Sequence, residues 1–229
     1  MTDNVTRRSF LRTVGTAVAG GAMVGTAASA DERAQTNKKI RILGLSCSPR
    51  KGKTTATAVQ VALEAAAKVS PDVETELIEL AGMNIPVFDP GNPNKGDFAT
   101  LEPRLSDPAV AGVIIGTPVY FSGMSSLCKA FIDQCMVFRK NNFALKNKVA
   151  GVVAVGGVRN GGQELAIESV QAALLCQEMI VVGDGNPTAH TGATVLNDGK
   201  DDISGDEFGL NTVRNLGRRV AEVALRMTS

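Results

Sequence analysis

The chain has 229 residues, 44% hydrophobic and 21% charged, which fits one globular domain with a removable leader and excludes a disordered chain. Three of its 24 bases and one of its 23 acids fall within residues 1–30, leaving 21 bases against 22 acids in the body. Such a near-neutral body carries no basic footprint for nucleic acid, nor the strong acidity of a dedicated small electron carrier.

The first segment has the order of an export signal. Thr6-Arg7-Arg8-Ser9-Phe10-Leu11-Arg12 precedes an Ala/Gly/Val run from Val14 to Ala28, which closes on the small-residue exit Ala28-Ser29-Ala30. The paired arginines resemble a twin-arginine signal, the route for proteins translocated already folded, and imply a periplasmic or other extracytoplasmic destination. A frayed or anchoring helix is the plainer alternative. The apolar run is too Gly-rich for a convincing membrane span, and no Cys follows the cleavage site to take a lipid. Residues 1–30 are therefore assigned to the signal, 31–39 to a polar lead-in and 40–229 to the domain.

From Ile40 the pattern alternates strand and helix. Ile40 to Leu45 is a short apolar run, Thr54 to Val69 has helical spacing, and Val73 to Leu80 alternates like a strand. Val110 to Gly116 and Val149 to Val155 are apolar throughout, as strands covered on both faces require. Ser125 to Cys135 and Gln163 to Cys176 read as helices, Met179 to Val182 as a fifth strand, and Ser204 to Met227 as a closing amphipathic helix with Ser204 as N-cap. Five strands separated by helices predict an α/β three-layer sandwich around a parallel, doubly wound sheet. Ala81 to Ser106 and Gly183 to Asp202 fall outside the scheme and are predicted as long loops.

Ligands of such sheets bind beyond the carboxyl ends of the strands, where three loops carry the chemistry. After strand one, Ser46, Ser48, Thr54 and Thr55 supply hydroxyls, Arg50, Lys51 and Lys53 supply charge, and the following helix supplies N–H donors and a favourable dipole. A phosphate cradle follows from these groups; taken alone, the segment also reads as a solvated basic turn. Gly52-Lys53-Thr54 nearly completes a nucleotide P-loop, but Cys47 replaces the required first glycine and Pro49 removes an N–H. Asp184 is a weak candidate for its Mg²⁺ ligand, so nucleotide phosphotransfer ranks second. Gly44-Leu45-Ser46-Cys47-Ser48 lacks the last glycine of a nucleophile elbow, and the lone His190 sits after strand five.

After strand three come Pro118, Val119, Tyr120, Phe121 and Ser122, then Gly123 and Met124: a sharp bend with polarizable surface for a flat ring. Tyr120 and Phe121 could equally plug the edge of the core. After strand four, Gly156, Gly157, Gly161 and Gly162 allow close backbone approach, and Asn160 and Gln163 offer amides. Gln163 and Glu164 also fit as plain first-turn helix residues. The cysteines Cys47, Cys128, Cys135 and Cys176 show no C-x-x-C spacing, which favours free thiols and no protein-held metal.

Three motifs in order carry a family resemblance. Ser46-x-Ser48-Pro49-Arg50-Lys51-Gly52 with Thr55, then Thr117-Pro118-Val119-Tyr120-Phe121 with Met124 and Lys129-Ala130-Phe131-Ile132-Asp133, then Arg159-Asn160-Gly161-Gly162-Gln163-Glu164 resemble the NADPH-dependent FMN reductase family. The likeness is strongest to its branch of iron–sulfur flavoproteins and multimeric flavodoxins. It implies a flavodoxin-like fold, non-covalent FMN, an electron-transferring activity and a homodimer or homotetramer. It places the phosphate on Ser48, Arg50, Thr54 and Thr55, the isoalloxazine on Pro118 to Ser122, and Gly156, Gly157 and Asn160 over it. Cluster-bearing members have cysteines between strands two and three, where Ala81 to Asp107 has none; no cluster is expected. NAD(P)H is the donor that the resemblance implies, whereas export argues for a quinol or a redox partner. A flavin-binding electron carrier without enzymatic activity is the third alternative.

Overall fold

The structure is a computed structural model that describes residues 39–228. The signal and the lead-in as far as residue 38 lie outside the described residues.

The strands are β1 (Ile40–Ser46), β2 (Val73–Glu79), β3 (Val110–Pro118), β4 (Val149–Gly156), β5 (Ile180–Val181) and β6 (Ala193–Leu196). All pairings are parallel, in the order β2-β1-β3-β4-β5, with β6 also beside β4. This is the doubly wound order of a flavodoxin-like α/β fold, and its switch point lies between β1 and β3. Successive residues of the central strands face opposite layers. Leu43, Leu45, Val113, Ile115 and Val152 enter one buried cluster, while Ile42, Ile114 and Val153 enter the other.

The first cluster is roofed by α2 (Phe98–Ser106), α3 (Ser126–Gln134), α4 (Met136–Lys140) and α5 (Gln163–Leu175), the second by α1 (Thr54–Ala67) and α6 (Glu207–Thr228). Helix α1 presents a narrow Ala58, Val59, Ala62, Leu63, Ala66 stripe. The small residues let α6 approach closely: a Cβ on Gly217 would overlap the Ala62 carbonyl.

Three expectations need correction. The region Ala81 to Ser106 is not all loop, because Phe98, Leu101 and Leu105 share one face and are fully buried, which outweighs Pro103 inside α2. Gly183 to Asp202 likewise holds β6, whose Ala193 and Val195 point into the core. The fifth position of the sheet is thus shared by two segments, β5 pairing with Val149 and Ala150 and β6 with Val153 to Gly156. The excursion between them closes on the buried Asp184 carboxylate, which accepts from the His190 N–H and the Thr188 hydroxyl. Finally, α6 starts at Glu207, capped by Asp206, whose Oδ1 accepts the Gly209 N–H at 3.0 Å. Ser204 instead donates its hydroxyl to Asp202 at 2.5 Å.

Candidate functional site

The carboxyl ends of β1, β3 and β4 bring the three loops together. The Cys47 N–H donates to the Gly116 carbonyl at 2.8 Å, and the Val119 N–H to that of Val155 at 2.9 Å. Ser125 caps α3 by accepting the Cys128 N–H at 3.1 Å, while its hydroxyl donates to the Cys47 carbonyl at 2.7 Å. The second and third loops touch, since a Cβ on Gly162 would fall on Ser122.

The first loop leaves hydrogen-bond donors free at the start of α1. Lys53 at the N-cap of α1 provides no side-chain cap, and the first helical hydrogen bond is the Thr57 N–H to the Lys53 carbonyl at 3.1 Å. The N–H groups of Thr54, Thr55 and Ala56 therefore have no protein acceptor among the described residues, at the positive end of a 14-residue helix. Thr54 and Thr55 are buried beside them, and the Ser46 hydroxyl is buried with no hydrogen-bond partner. A buried polar group left unpaired is costly, and an uncapped helix start in the same loop as an orphan hydroxyl fits a phosphate. Ser48 contributes differently, its Oγ accepting the Arg50 N–H at 3.1 Å to shape the turn. Gly52 lies at φ +63, a backbone region that favours glycine, and its N–H donates to Glu79 Oε2 at 2.6 Å.

The second loop is a two-residue hairpin turn. Tyr120 and Gly123 exchange both backbone hydrogen bonds at 3.0 Å, with Phe121 at φ +50 and Ser122 at φ +62 between them. Both central residues occupy the left-handed region that such turns demand and that normally selects Gly or Asn. Phe121 is fully solvent-exposed and Tyr120 is 45% exposed, so neither plugs the core. Their aromatic surface stands free at the mouth of the site, beside Pro118 and Val119.

In the third loop the amide roles divide. Gln163 is fully buried: its Oε1 accepts the Gly161 N–H at 2.9 Å and its Nε2 donates to the Val158 carbonyl at 2.7 Å. It braces the loop and is not available to a ligand. Asn160 and Gly157 are exposed, and a Cβ on Gly157 would meet nothing within 4 Å, so backbone is open there. Gly156 closes the end of β4, its carbonyl accepting the Asn197 N–H at 2.8 Å.

Sequence reasoning missed the segment from Asn197 to Asp206, which ties the loops from outside. Asp201 pairs with Arg50 at 2.6 Å and with Lys53 at 3.2 Å, and Arg50 first, then Lys53, hold its carboxyl below the usual carboxylate range. Asp206 pairs with Arg159 and also accepts the Leu196 N–H at 2.7 Å. An acidic segment just past a strand's carboxyl end was the available signal, hidden because β6 was not recognised.

The competing chemistries find less support. Among the described residues no group of three or more His, Cys, Asp or Glu could hold a metal ion. Asp184, the candidate Mg²⁺ ligand, is fully buried and engaged by Thr188 and His190. The His190 ring packs on Asp184 and Phe208 at the fifth sheet position, three strand spacings of about 4.8 Å from β1 and Ser46. Cys47, Cys128 and Cys135 are buried free thiols. Contact with Cys128, then burial, pushes the Cys47 thiol well up, and burial does the same for Cys135, so both are held protonated. Cys176 is exposed.

Comparison with known proteins gives the family. Residues 40–194 match the family model for NADPH-dependent FMN reductase. An iron-sulfur flavoprotein of Methanocaldococcus jannaschii is 40% identical over 192 residues, covering 80% of this chain and 97% of the relative. A NAD(P)H dehydrogenase (quinone) of Afipia carboxidovorans is 32% identical over 127 residues, covering 50% of this chain and 63% of the relative. Among solved structures, a flavodoxin, WrbA-like protein from Agrobacterium tumefaciens superposes with a TM-score of 0.59 at 19% identity, covering 82% of this chain and 99% of that one, and so supports the fold. The chain belongs to the NADPH-dependent FMN reductase family.

Proposed function

We propose that this chain is an FMN-dependent oxidoreductase that acts after export and passes electrons from a quinol or redox-protein donor to a small acceptor. Family membership makes FMN the cofactor and flavin-dependent oxidoreduction the activity. One observation carries the reading of the site: the uncapped start of α1, with the buried, unpartnered Ser46 hydroxyl at the other end of the same loop, a place for a phosphate monoester. Ser46, Ser48, Arg50, Thr54 and Thr55, with the α1 N–H groups, would hold that phosphate. Pro118 to Ser122 would lie along the ring, and the open backbone at Gly157 and Asn160 would close over it, with Gly156 buried behind them as the end of β4. Bound FMN supplies the one- and two-electron chemistry; the protein's part is to bind, orient and partly desolvate it.

The acceptor we favour is a quinone, free flavin or a metal ion, a quinone only where the donor is a redox protein, taken beside Tyr120 and Phe121, which expose aromatic surface. The name of the Afipia relative pairs NAD(P)H with quinone, and supports the acceptor more than the donor if the twin-arginine segment directs export. The family resemblance also supports a homodimer or homotetramer. No helix among the described residues is long and apolar enough to cross a membrane.

Anaerobic rapid mixing of the flavin-loaded protein with NADH, NADPH and a water-soluble quinol tests the donor. Bleaching by the quinol with slow or no bleaching by either pyridine nucleotide is expected. Fast, saturable reduction by NADPH would refute the donor assignment and leave a family-type NAD(P)H reductase. ATP binding that requires Mg²⁺, without any bound flavin, would favour the phosphotransferase reading.

A further inference from the structure

Four aspartates follow β6 within nine positions, at 198, 201, 202 and 206. Asp198 accepts the Lys200 N–H and Asp202 the Ser204 N–H, which makes both of them turn residues. Asp206 caps α6 and pairs with Arg159. Asp201 alone of the four reaches the phosphate loop, from a left-handed backbone position at φ +60, and takes both Arg50 and Lys53. Three bases stand on that loop, and one carboxylate engages two of them. All three side chains of the triad stay partly open to water, Arg50 at 48%, Lys53 at 45% and Asp201 at 31%. A triad so exposed adds little to folding stability, but its cations can exchange one anion for another.

We infer that Asp201 is a built-in competitor for the flavin phosphate, occupying the two cations that an incoming phosphomonoester would recruit. It sets how strongly the site prefers FMN to riboflavin, which has the same ring and no phosphate. The assignment rests on the reading that this loop holds the FMN phosphate. A phosphate monoester carries about −1.5 to −2 charge near neutral pH and outcompetes a single carboxylate for the cations. Entry nonetheless displaces or crowds Asp201. A charge of about −1.5 to −2 about 4 Å from a unit charge in water, screened by about 0.15 M salt, changes a binding constant roughly fivefold.

The test compares the full-length protein, freed of flavin by dialysis, with its Asp201→Asn variant. FMN and riboflavin affinities are read by quenching of flavin fluorescence. FMN should bind the variant about fivefold more tightly, with riboflavin unchanged within about twofold. Inorganic phosphate provides a flavin-free readout: it should raise the melting temperature of Asp201→Asn more than that of the parent. In an Arg50→Gln background the Asp201→Asn gain should shrink. An unchanged or lowered ratio of FMN to riboflavin affinity in Asp201→Asn would overturn the inference while leaving FMN binding itself intact. A parent protein that binds neither flavin would overturn the functional reading, and this inference with it.

Discussion

Replacing Asp206 by Ala perturbs the most connected polar side chain near the site. Its carboxylate is nearly buried and accepts the Gly209 N–H at 3.0 Å, the Leu196 N–H at 2.7 Å and the Arg159 guanidinium. The helix cap is worth about 1 kcal/mol. The bond from Leu196 to a charged, enclosed acceptor adds about 1.5–3 kcal/mol. The Arg159 pair, with Arg159 40% exposed, adds at most about 1 kcal/mol after solvent screening. A loss of about 3–4 kcal/mol of unfolding free energy is expected, or about 10 °C in melting temperature for a domain of this size. Urea denaturation of the flavin-free protein followed by circular dichroism measures it. Asp206→Asn, which keeps an acceptor and drops the charge, should recover about half. A loss below about 1 kcal/mol for Asp206→Ala would refute the claim that this residue joins β6, α6 and the third loop.

Phe121→Gly should stabilise the flavin-free protein by about 1 kcal/mol, because Phe121 pays for a left-handed backbone and buries nothing, while weakening flavin binding; paired urea and FMN titrations check both. Gly217→Ala should destabilise by about 1–3 kcal/mol, since the Ala62 carbonyl leaves no room for a methyl between α1 and α6; a melt separates this from a neutral surface change. The native carboxyl of Asp201 titrates below its ordinary value of 3.8, so the stability it contributes is present above that value and is lost as pH falls through the lowered native one. The pair is exposed, so the difference between parent and Asp201→Asn should be small, present above pH 4 and gone in stronger acid, as urea midpoints across pH 2.5–6 would show.

Much of this architecture is legible in the chain because the central strands are buried on both faces. Val110 to Gly116 and Val149 to Val155 can hardly be anything else, each one or two residues short of β3 and β4, and the loops that follow them are rich in glycine and hydroxyl residues. What escaped local pattern depends on distant partners. Pro103 argues against a helix until Phe98 is seen against Phe131 and Phe138. Four residues of β6 are too few to stand out among the polar segments flanking them. Arg50 and Asp201 are 151 positions apart, and no spacing rule joins them. Gln163 shows the reverse difficulty: its type suggests a ligand contact, and burial assigns it to the loop's own backbone.

The most direct test of the central claim is the visible spectrum of the purified full-length protein, with the cofactor released by heat identified by mass. About one FMN per chain, or stoichiometric uptake of added FMN by colourless protein, is the predicted result. A colourless protein that refuses FMN, with Ser46 and the start of α1 intact, would contradict the account.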